Sequence, residues 1–188
     1  MRILIADDDP IIRLDLKQML ESLGYQVVEE AEDGAKALEA ARATQPDLCL
    51  LDVKMPVMDG IDAAAQIFED GLAPVVLLTA YSDGELIDRA KDAGVFGYLV
   101  KPFKPSDLPP AIEVARSRFE QNRELAKEID DLSERLEARK VVEKAKGILM
   151  QTQGLSETDA YRRIQQQSMN ARKSMRQVAE AIILAHGV

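Results

Sequence analysis

The amino-acid sequence predicts an α/β fold: a doubly wound, five-stranded parallel sheet, followed by a long helix and a small all-α unit. Three observations lead to this prediction. Short apolar segments alternate with amphipathic helical segments over residues 1–120, which is typical of doubly wound sheets. Most of these apolar segments end on an acidic, hydroxyl or basic residue. Beyond Pro109-Pro110 the spacing is helical, and Gly147 is the one glycine before Gln153.

The first elements are marked by their end signals. Residues 2–6 form an apolar strand, and Asp9-Pro10 then supplies a helix N-cap and a proline at the first helical position. Gly24 ends that helix. A strand at 26–30 follows, and Asp33-Gly34 opens the second helix.

The central strand, residues 48–51, is continuously apolar, as expected for a parallel strand covered on both faces. It stops on Asp52, and the next loop contains Pro56 and Gly60. A helix at 61–69 and a strand at 75–78, which ends on Thr79, come next. A helix at 85–93 follows, with a Ser82–Glu85 capping box. The last strand predicted within residues 1–120 is 97–100, which ends on Lys101-Pro102.

The long helix carries a narrow apolar stripe. Leu125, Ile129, Leu132 and Leu136 are spaced by four, three and four residues, and charged residues surround them. This spacing predicts a short coiled-coil seam and a homodimer. The alternative is an amphipathic helix that folds back onto its own domain.

Two short helices follow the long one. Ser156 begins the first, in which we expect Tyr161, Ile164 and Gln165 to face inward. Ser174 and Gln177 predict a capping box for the second. With the end of the long helix they form a small three-helix unit.

Charge divides the chain into two parts with different partners. The net charge is −9, made up of −14 over residues 1–134 and +5 over residues 135–188. A basic tail is typical of a segment that binds nucleic acid.

Cys49 is the single cysteine, which indicates a reducing compartment, and His186 is the single histidine, which excludes a histidine-cluster metal site. No apolar run approaches membrane length, and the first residues enter a strand at once. We therefore expect a cytoplasmic protein with no membrane partner.

The polar strand ends define a candidate site. Asp7, Asp8, Asp52, Thr79 and Lys101 follow strands whose carboxyl ends meet at one edge of the predicted sheet. Clustered carboxylates repel one another unless a cation lies among them, and Mg²⁺ prefers such oxygen ligands. An aspartate beside this ion can attack a phosphoryl group, while a lysine neutralises the phosphoryl oxygens.

Residues 1–120 resemble the receiver domain of two-component response regulators, which has a flavodoxin-like fold. The matching motifs are Asp7-Asp8, Asp52 with Met55-Pro56 and Asp59-Gly60, Thr79-Ala80, and Lys101-Pro102-Phe103. The resemblance implies that Asp52 is the phosphoacceptor and that a histidine kinase is the donor. It further implies that Asp8, Asp52 and the Lys54 carbonyl bind Mg²⁺, with Asp7 acting through water. It assigns Thr79 and Tyr98 as a switch pair, Lys101 as the phosphate contact, and a cis Lys101-Pro102 bond.

The tail resembles the ANTAR domain of RNA-binding transcription antiterminators. The matching motifs include Glu143 to Met150, Leu155-Ser156, Ala160-Tyr161, Met169-Asn170 and Arg172-Lys173. The resemblance implies binding to paired RNA hairpins. Together the motifs predict a receiver domain at 1–120, a coiled-coil linker helix at 121–136 and an ANTAR domain at 137–188. The basic residues favoured as RNA contacts are Lys144, Lys146, Arg172, Lys173 and Arg176.

The leading hypothesis is a phosphorylation-controlled, dimeric RNA-binding antiterminator that is not an enzyme beyond its own phosphorylation and dephosphorylation. A phospho-regulated adaptor that binds another protein through its helical tail is the alternative. A DNA-binding output is less favoured, because no helix-turn-helix with an exposed polar recognition face stands out in the tail.

Overall fold

The computed structural model describes residues 1–80 and 94–186. The chain divides into two compact units, Met1–Arg123 and Glu124–Val188. The predicted helix at 85–93, with its Ser82–Glu85 capping box, lies outside the described residues. No helix within the described ranges has the length and apolar character needed to span a bilayer.

The first unit is built on a parallel sheet of five strands in the order β2-β1-β3-β4-β5, which confirms the predicted doubly wound fold. Its strands are β1 (Arg2–Ala6), β2 (Gln26–Ala31), β3 (Leu48–Asp52), β4 (Val75–Ala80) and β5 (Gly97–Lys101). Its helices are α1 (Pro10–Ser22), α2 (Gly34–Thr44), α3 (Gly60–Glu69) and the first turns of α4 (Leu108–Gln153), which a short 3₁₀ turn at Pro105–Asp107 precedes.

Aspartates begin the helices at the carboxyl edge of the sheet. The side chains of Asp9, Asp33 and Asp59 each accept a hydrogen bond from a backbone amide in the first turn of α1, α2 and α3, respectively. An N-cap acceptor of this kind satisfies amides that have no partner inside the helix. The first two caps were predicted from Asp9-Pro10 and Asp33-Gly34.

Both faces of the sheet are covered by apolar layers. Leu4 and Leu51 belong to the layer that α2 and α3 cover. Ile5 and Leu50 belong to the opposite layer, with α1 and the start of α4. The residues of β3 are all buried, so the continuous apolar run of this strand is explained by burial on two sides.

The second unit contains the end of α4 with two further helices, α5 (Glu157–Ala171) and α6 (Met175–Ala185). The predicted Ser156 cap and the Ser174–Gln177 capping box are both present. Its core consists of Val142, Ala145, Leu149, Ala160, Ile164, Val178 and Ala179. The inward placement of Tyr161 and Gln165 was wrong: Tyr161 is 43% exposed and Gln165 is also exposed. Alanine at position 160 fills the space between the helices instead.

The predicted long helix is continuous over 46 residues. Pro109 and Pro110 lie in its first turn, where a proline removes no intrahelical hydrogen bond. The predicted cis peptide bond between Lys101 and Pro102 is present.

Candidate functional site

Asp52 is held in place by the close approach of a glycine. The Gly60 amide donates a 2.9 Å hydrogen bond to the Val53 carbonyl, just beyond the end of β3. A Cβ atom on Gly60 would lie 1.9 Å from the Asp52 carbonyl oxygen, so no larger residue fits there. The Asp59-Gly60 pair therefore caps α3 and allows this helix to pack directly under the Asp52 backbone.

Lys101 brings two distant aspartates together. Its ammonium lies 2.6 Å from Asp7 Oδ2 and 2.5 Å from Asp52 Oδ1. The side chains of Asp7 and Asp52 are only 1% and 11% exposed. The ends of β1, β3 and β5 thus form a buried charge cluster in which one cation faces two carboxylates.

Burial and ion pairing act in opposite directions on this cluster. Burial raises the pKa of Asp52, and the hydrogen bond and charge of Lys101 only partly offset this effect. Burial lowers the pKa of Lys101, but its hydrogen bonds to Asp52 and Asp7 outweigh burial, so the pKa is raised overall. Lys101 therefore remains charged, while ionisation of Asp52 carries an electrostatic cost.

The other predicted metal ligands are arranged differently. Asp8 is exposed. The Lys54 amide donates a 2.9 Å hydrogen bond to Asp52 Oδ2, which turns this loop toward the carboxylate. No group of three acidic, histidine or cysteine side chains suited to a metal ion occurs within residues 1–80 and 94–186. The space between Asp7 and Asp52 nevertheless accommodates a positive charge, at present the Lys101 ammonium.

Thr79 and Tyr98 lie on adjacent strands near this cluster. Leu78 pairs with Asp52 across β3 and β4, so Thr79 is one residue beyond the level of Asp52. The Thr79 hydroxyl donates to the Ala80 carbonyl at 3.2 Å, and Tyr98 is 57% exposed. Both residues line a cavity of about 640 Å³.

The basic residues of the second unit fall into two groups. Lys146 is buried and its ammonium contacts Glu143 and Glu157, each at 2.9 Å or less. Arg176 pairs with Glu180 at 2.9 Å. In contrast, Lys144, Arg172 and Lys173 are exposed. No ion pair or hydrogen bond of these three side chains occurs in the part of the chain that the structure describes.

Sequence reasoning did not name two further polar residues of this unit as RNA contacts, although Asn170 belongs to the matched Met169-Asn170 motif. Gln167 and Asn170 are exposed on α5 and line surface grooves, together with Arg163. The run Gln165-Gln166-Gln167 was the available signal. The pairing of Lys146 with Glu143 could also have been anticipated, because the two residues are three apart on a helix.

Two family models match the chain. Residues 3–113 match the response regulator receiver domain, and residues 130–183 match the ANTAR domain. The order of the two domains is the one that the sequence motifs predicted. The chain therefore belongs to the response regulator family, with a receiver domain followed by an ANTAR output domain.

Relatives agree with this assignment. The transcriptional regulatory protein PdtaR of Mycobacterium tuberculosis is 52% identical over 97% of this chain and 89% of its own length. The chemotaxis protein CheY of Bacillus subtilis is 38% identical over 59% of this chain and 93% of its own length. Both matched domains are those of a response regulator, so the chain is a regulatory protein rather than an enzyme.

Solved receiver structures share the fold of the first unit. A CheY-like receiver domain protein from Methanospirillum hungatei superposes with a TM-score of 0.58 at 32% identity, covering 64% of this chain and 97% of its own. CheY in the CheX–CheY–BeF₃–Mg²⁺ complex from Borrelia burgdorferi gives a TM-score of 0.56 at 28% identity, covering 63% and 89%.

Proposed function

We propose that the chain is a phosphorylation-controlled RNA-binding antiterminator. A sensor histidine kinase transfers a phosphoryl group to Asp52, and the tail binds RNA hairpins as part of a dimer. The observation that carries the first half is the Lys101 ammonium, which bridges the buried carboxylates of Asp7 and Asp52. The ANTAR match carries the second half.

Asp52 has the surroundings of a phosphoacceptor. Its Oδ1 atom faces Lys101 and its Oδ2 atom accepts from the Lys54 amide. A phosphoryl group added here would bring extra negative charge next to a cation that is already in place. The Lys101 ammonium would then neutralise phosphoryl oxygens, and an amide donor would orient them.

We further propose Mg²⁺ ligands among the residues around Asp52, although their side chains are not grouped as a metal site within the described residues, where the Lys101 ammonium lies between Asp7 and Asp52. Asp7, Asp8 and Asp52 would supply carboxylate oxygens and Lys54 a carbonyl, all of which are hard donors. The ion would neutralise charge between the carboxylates and the incoming phosphoryl group. The Mg²⁺ named in the Borrelia burgdorferi CheY complex supports this assignment.

Thr79 and Tyr98 are the proposed switch pair. The Thr79 hydroxyl now donates to a neighbouring carbonyl and is free to rotate toward a phosphorylated Asp52. Tyr98 is more than half exposed and lines the same cavity as Thr79, which leaves room for its ring to move inward. We expect Thr79→Ala to uncouple phosphorylation from any change at Tyr98, as measured by the part of the tyrosine fluorescence that Tyr98→Phe removes.

Dimerisation is assigned to the stripe predicted on the long helix. Leu125, Ile129, Leu132 and Leu136 are each at least 55% exposed on α4. Four large apolar side chains in heptad spacing on a charged helix are better explained by contact with a partner helix than by exposure to solvent.

We propose a receiver domain at 1–120, a coiled-coil linker helix at 121–136 and an ANTAR domain at 137–188. The two compact units and the two family matches support these limits in outline.

The decisive experiment compares the unaltered protein with Asp52→Asn. Both are titrated with an RNA that contains two hairpins, in Mg²⁺ with and without a small phosphodonor. Tighter binding only in the phosphorylated, unaltered protein is the expected result. Equal binding by both proteins would separate the RNA role from Asp52.

The alternative is an adaptor that binds another protein through the exposed stripe on α4. Salt separates the two functions, because contacts with RNA phosphates weaken steeply as salt rises and an apolar seam does not. Absence of RNA binding at low salt would favour the adaptor.

A further inference from the structure

A groove crosses the surface of the second unit between α5 and α6. Its volume is about 650 Å³. Leu149, Val178 and Ile182 contribute apolar atoms to its lining. The polar residues that line it are Gln153, Arg163, Gln167, Asn170, Lys173, Gln177 and His186. The groove therefore combines an apolar part with hydrogen-bonding groups and two cations, and none of its described lining residues is acidic.

A second groove, of about 360 Å³, runs along α5 beside the first. Arg163, Gln167 and Asn170 line both grooves. These three side chains are exposed, and none makes a hydrogen bond or ion pair with any described residue. Gln177 differs, because its side chain already accepts the Ser174 amide in the cap of α6. Gln167 and Asn170 are thus the amide side chains that line both grooves.

We propose that this pair of grooves recognises unpaired bases of an RNA loop, with Gln167 and Asn170 as the residues that determine the preferred loop sequence. This proposal rests on the RNA-binding function proposed above and names the surface that carries its specificity. Arg163 and Lys173 contact backbone phosphates or stack on a base, and the apolar part of the larger groove receives the face of a base.

The chemistry of the side chains favours loop bases over a duplex. An amide side chain offers two donors and an acceptor, so it can pair with the edge of a base. The deep major groove of an RNA duplex is closed to such side chains, whereas splayed loop bases expose their edges. The tail has no Phe or Trp, and its Tyr161 lines neither groove, so base faces must contact aliphatic side chains, a guanidinium plane or the imidazole ring of His186, which lines the larger groove.

Charge also favours RNA over an acidic protein surface. Lys144, Arg172 and Lys173 are exposed and without an ion-pair partner among the described residues, whereas Lys146 and Arg176 are paired with glutamates. Phosphate contacts from such free cations supply affinity that does not depend on sequence. Sequence preference must then come from neutral groups, and Gln167 and Asn170 are such groups.

The test uses the full chain, phosphorylated with Mg²⁺ and a small phosphodonor, and a pool of RNA hairpins with a fixed stem and a randomised loop. Bound RNA is recovered and sequenced. Gln167→Ala and Asn170→Ala are compared with Gln165→Ala, a matched control on the same helix that lines neither groove. All three residues are exposed and alanine favours helix, so the fold is retained.

We expect the unaltered protein and Gln165→Ala to enrich the same loops. Gln167→Ala and Asn170→Ala should each reduce the preference for those loops by about tenfold, as for one lost amide–base contact. The salt dependence of total binding should stay unchanged in these variants. Lys173→Ala should instead weaken binding to all loops alike and reduce the salt dependence.

Two results would overturn the proposal in distinguishable ways. If both amide variants enriched the same loops as the unaltered protein, the grooves would not recognise bases and the RNA function would remain. If the unaltered protein bound no member of the pool at low salt, the proposed RNA function would fail as well. Circular dichroism and the unfolding midpoint of each variant establish that a lost preference is not a lost fold.

Discussion

Lys101 and Lys146 each face two carboxylates, but in very different settings. Lys101 lies between Asp7 and Asp52, whose side chains are 1% and 11% exposed. Lys146 lies between Glu143 and Glu157, whose side chains are 54% and 70% exposed. In the receiver the lysine compensates buried charge. In the output unit the lysine itself is buried, and its partners remain in solvent.

This difference distinguishes a reactive site from a structural ion pair. Carboxylates in solvent are stabilised by water when their lysine is removed, whereas buried carboxylates without a cation strongly destabilise the folded state. The pocket around Asp52 therefore retains a demand for positive charge, which a divalent ion or a rearranged lysine can satisfy. Lys146 connects α4 to the start of α5. Its ammonium is already paired with two carboxylates, so this site does not need a further ion.

The largest effect should come from Lys101→Met. This change leaves two carboxylates buried without a cation, and we expect it to lower the free energy of unfolding by about 3–5 kcal/mol in the absence of divalent ions. Mg²⁺ should restore part of this loss by taking the place of the ammonium. Urea unfolding with EDTA or with Mg²⁺ measures both effects. A loss below about 1 kcal/mol in EDTA would contradict the role assigned to Lys101.

Cys49 makes this measurement specific to the receiver. It is the single cysteine of the chain, it is fully buried in β3, and burial raises the pKa of its thiol to about 12. Alkylation at pH 8 should therefore follow opening of the first unit alone. Circular dichroism reports the helices of both units, so the two signals should separate if the units unfold independently.

Lys146→Met should produce a smaller loss. The methionine retains the apolar stem, and both glutamates return to solvent without a desolvation cost. We expect a lower unfolding midpoint by circular dichroism, with the rate of Cys49 alkylation unchanged. If Lys146→Met weakened RNA binding more than Lys144→Met, the structural role would be wrong and the original RNA assignment of Lys146 would stand.

The contribution of the Lys146 ion pairs to stability depends on pH, and the direction of this dependence can be stated. The Glu157 pKa is lowered by its hydrogen bond to Lys146, so its contribution is present above the ordinary value of 4.5 and is lost as the pH falls through the folded pKa. The Lys146 pKa is raised by hydrogen bonds to Glu157 and Glu143, so its contribution is present below 10.5 and is lost above the folded pKa. The stability difference between the unaltered protein and Lys146→Met should therefore shrink at both extremes.

Asp52→Asn should have a smaller effect of the opposite sign. Burial raises the pKa of Asp52 above its ordinary 3.8, so the folded state binds this proton more tightly than the unfolded state does. The ionised carboxylate then opposes folding near neutral pH, and Lys101 keeps Asp7 as a partner. We expect Asp52→Asn to be more stable by no more than about 1 kcal/mol, after allowance for partial exposure. In EDTA this gain should shrink as the pH falls through the folded pKa of Asp52 and should be absent below the ordinary value of 3.8.

The same comparison explains what the sequence could predict. The strands and helix caps followed from local signals, such as the Asp9-Pro10 pair and the continuous apolar run of β3. The meeting of Asp7, Asp52 and Lys101 could also be predicted, because parallel strands place their carboxyl ends at one edge. In both cases the information is local or is fixed by topology.

Which basic residues of the tail are buried and which are exposed could not be predicted in this way. Lys146 and Lys144 are two residues apart and equally charged, and only three-dimensional packing shows that one is buried against Glu157 while the other is free. Tyr161 was expected in the core by helical spacing, but Ala160 occupies that position. A small helical unit has narrow apolar faces, so a shift of one residue exchanges core and surface.

The smallest expected effect concerns Gly147, next to Lys146 in the interior of α4. A Cβ atom added there would meet no side chain or backbone atom within 4 Å, apart from its chain neighbours and the backbone of its own helical turns. Because glycine weakens a helix interior, Gly147→Ala should stabilise the second unit by about 0.5–1 kcal/mol, as measured by thermal unfolding. Nothing within the described unit requires a glycine at this position. If Gly147→Ala gained this stability but lost RNA binding or dimerisation, the glycine would instead provide room for a partner on the face beside Lys146.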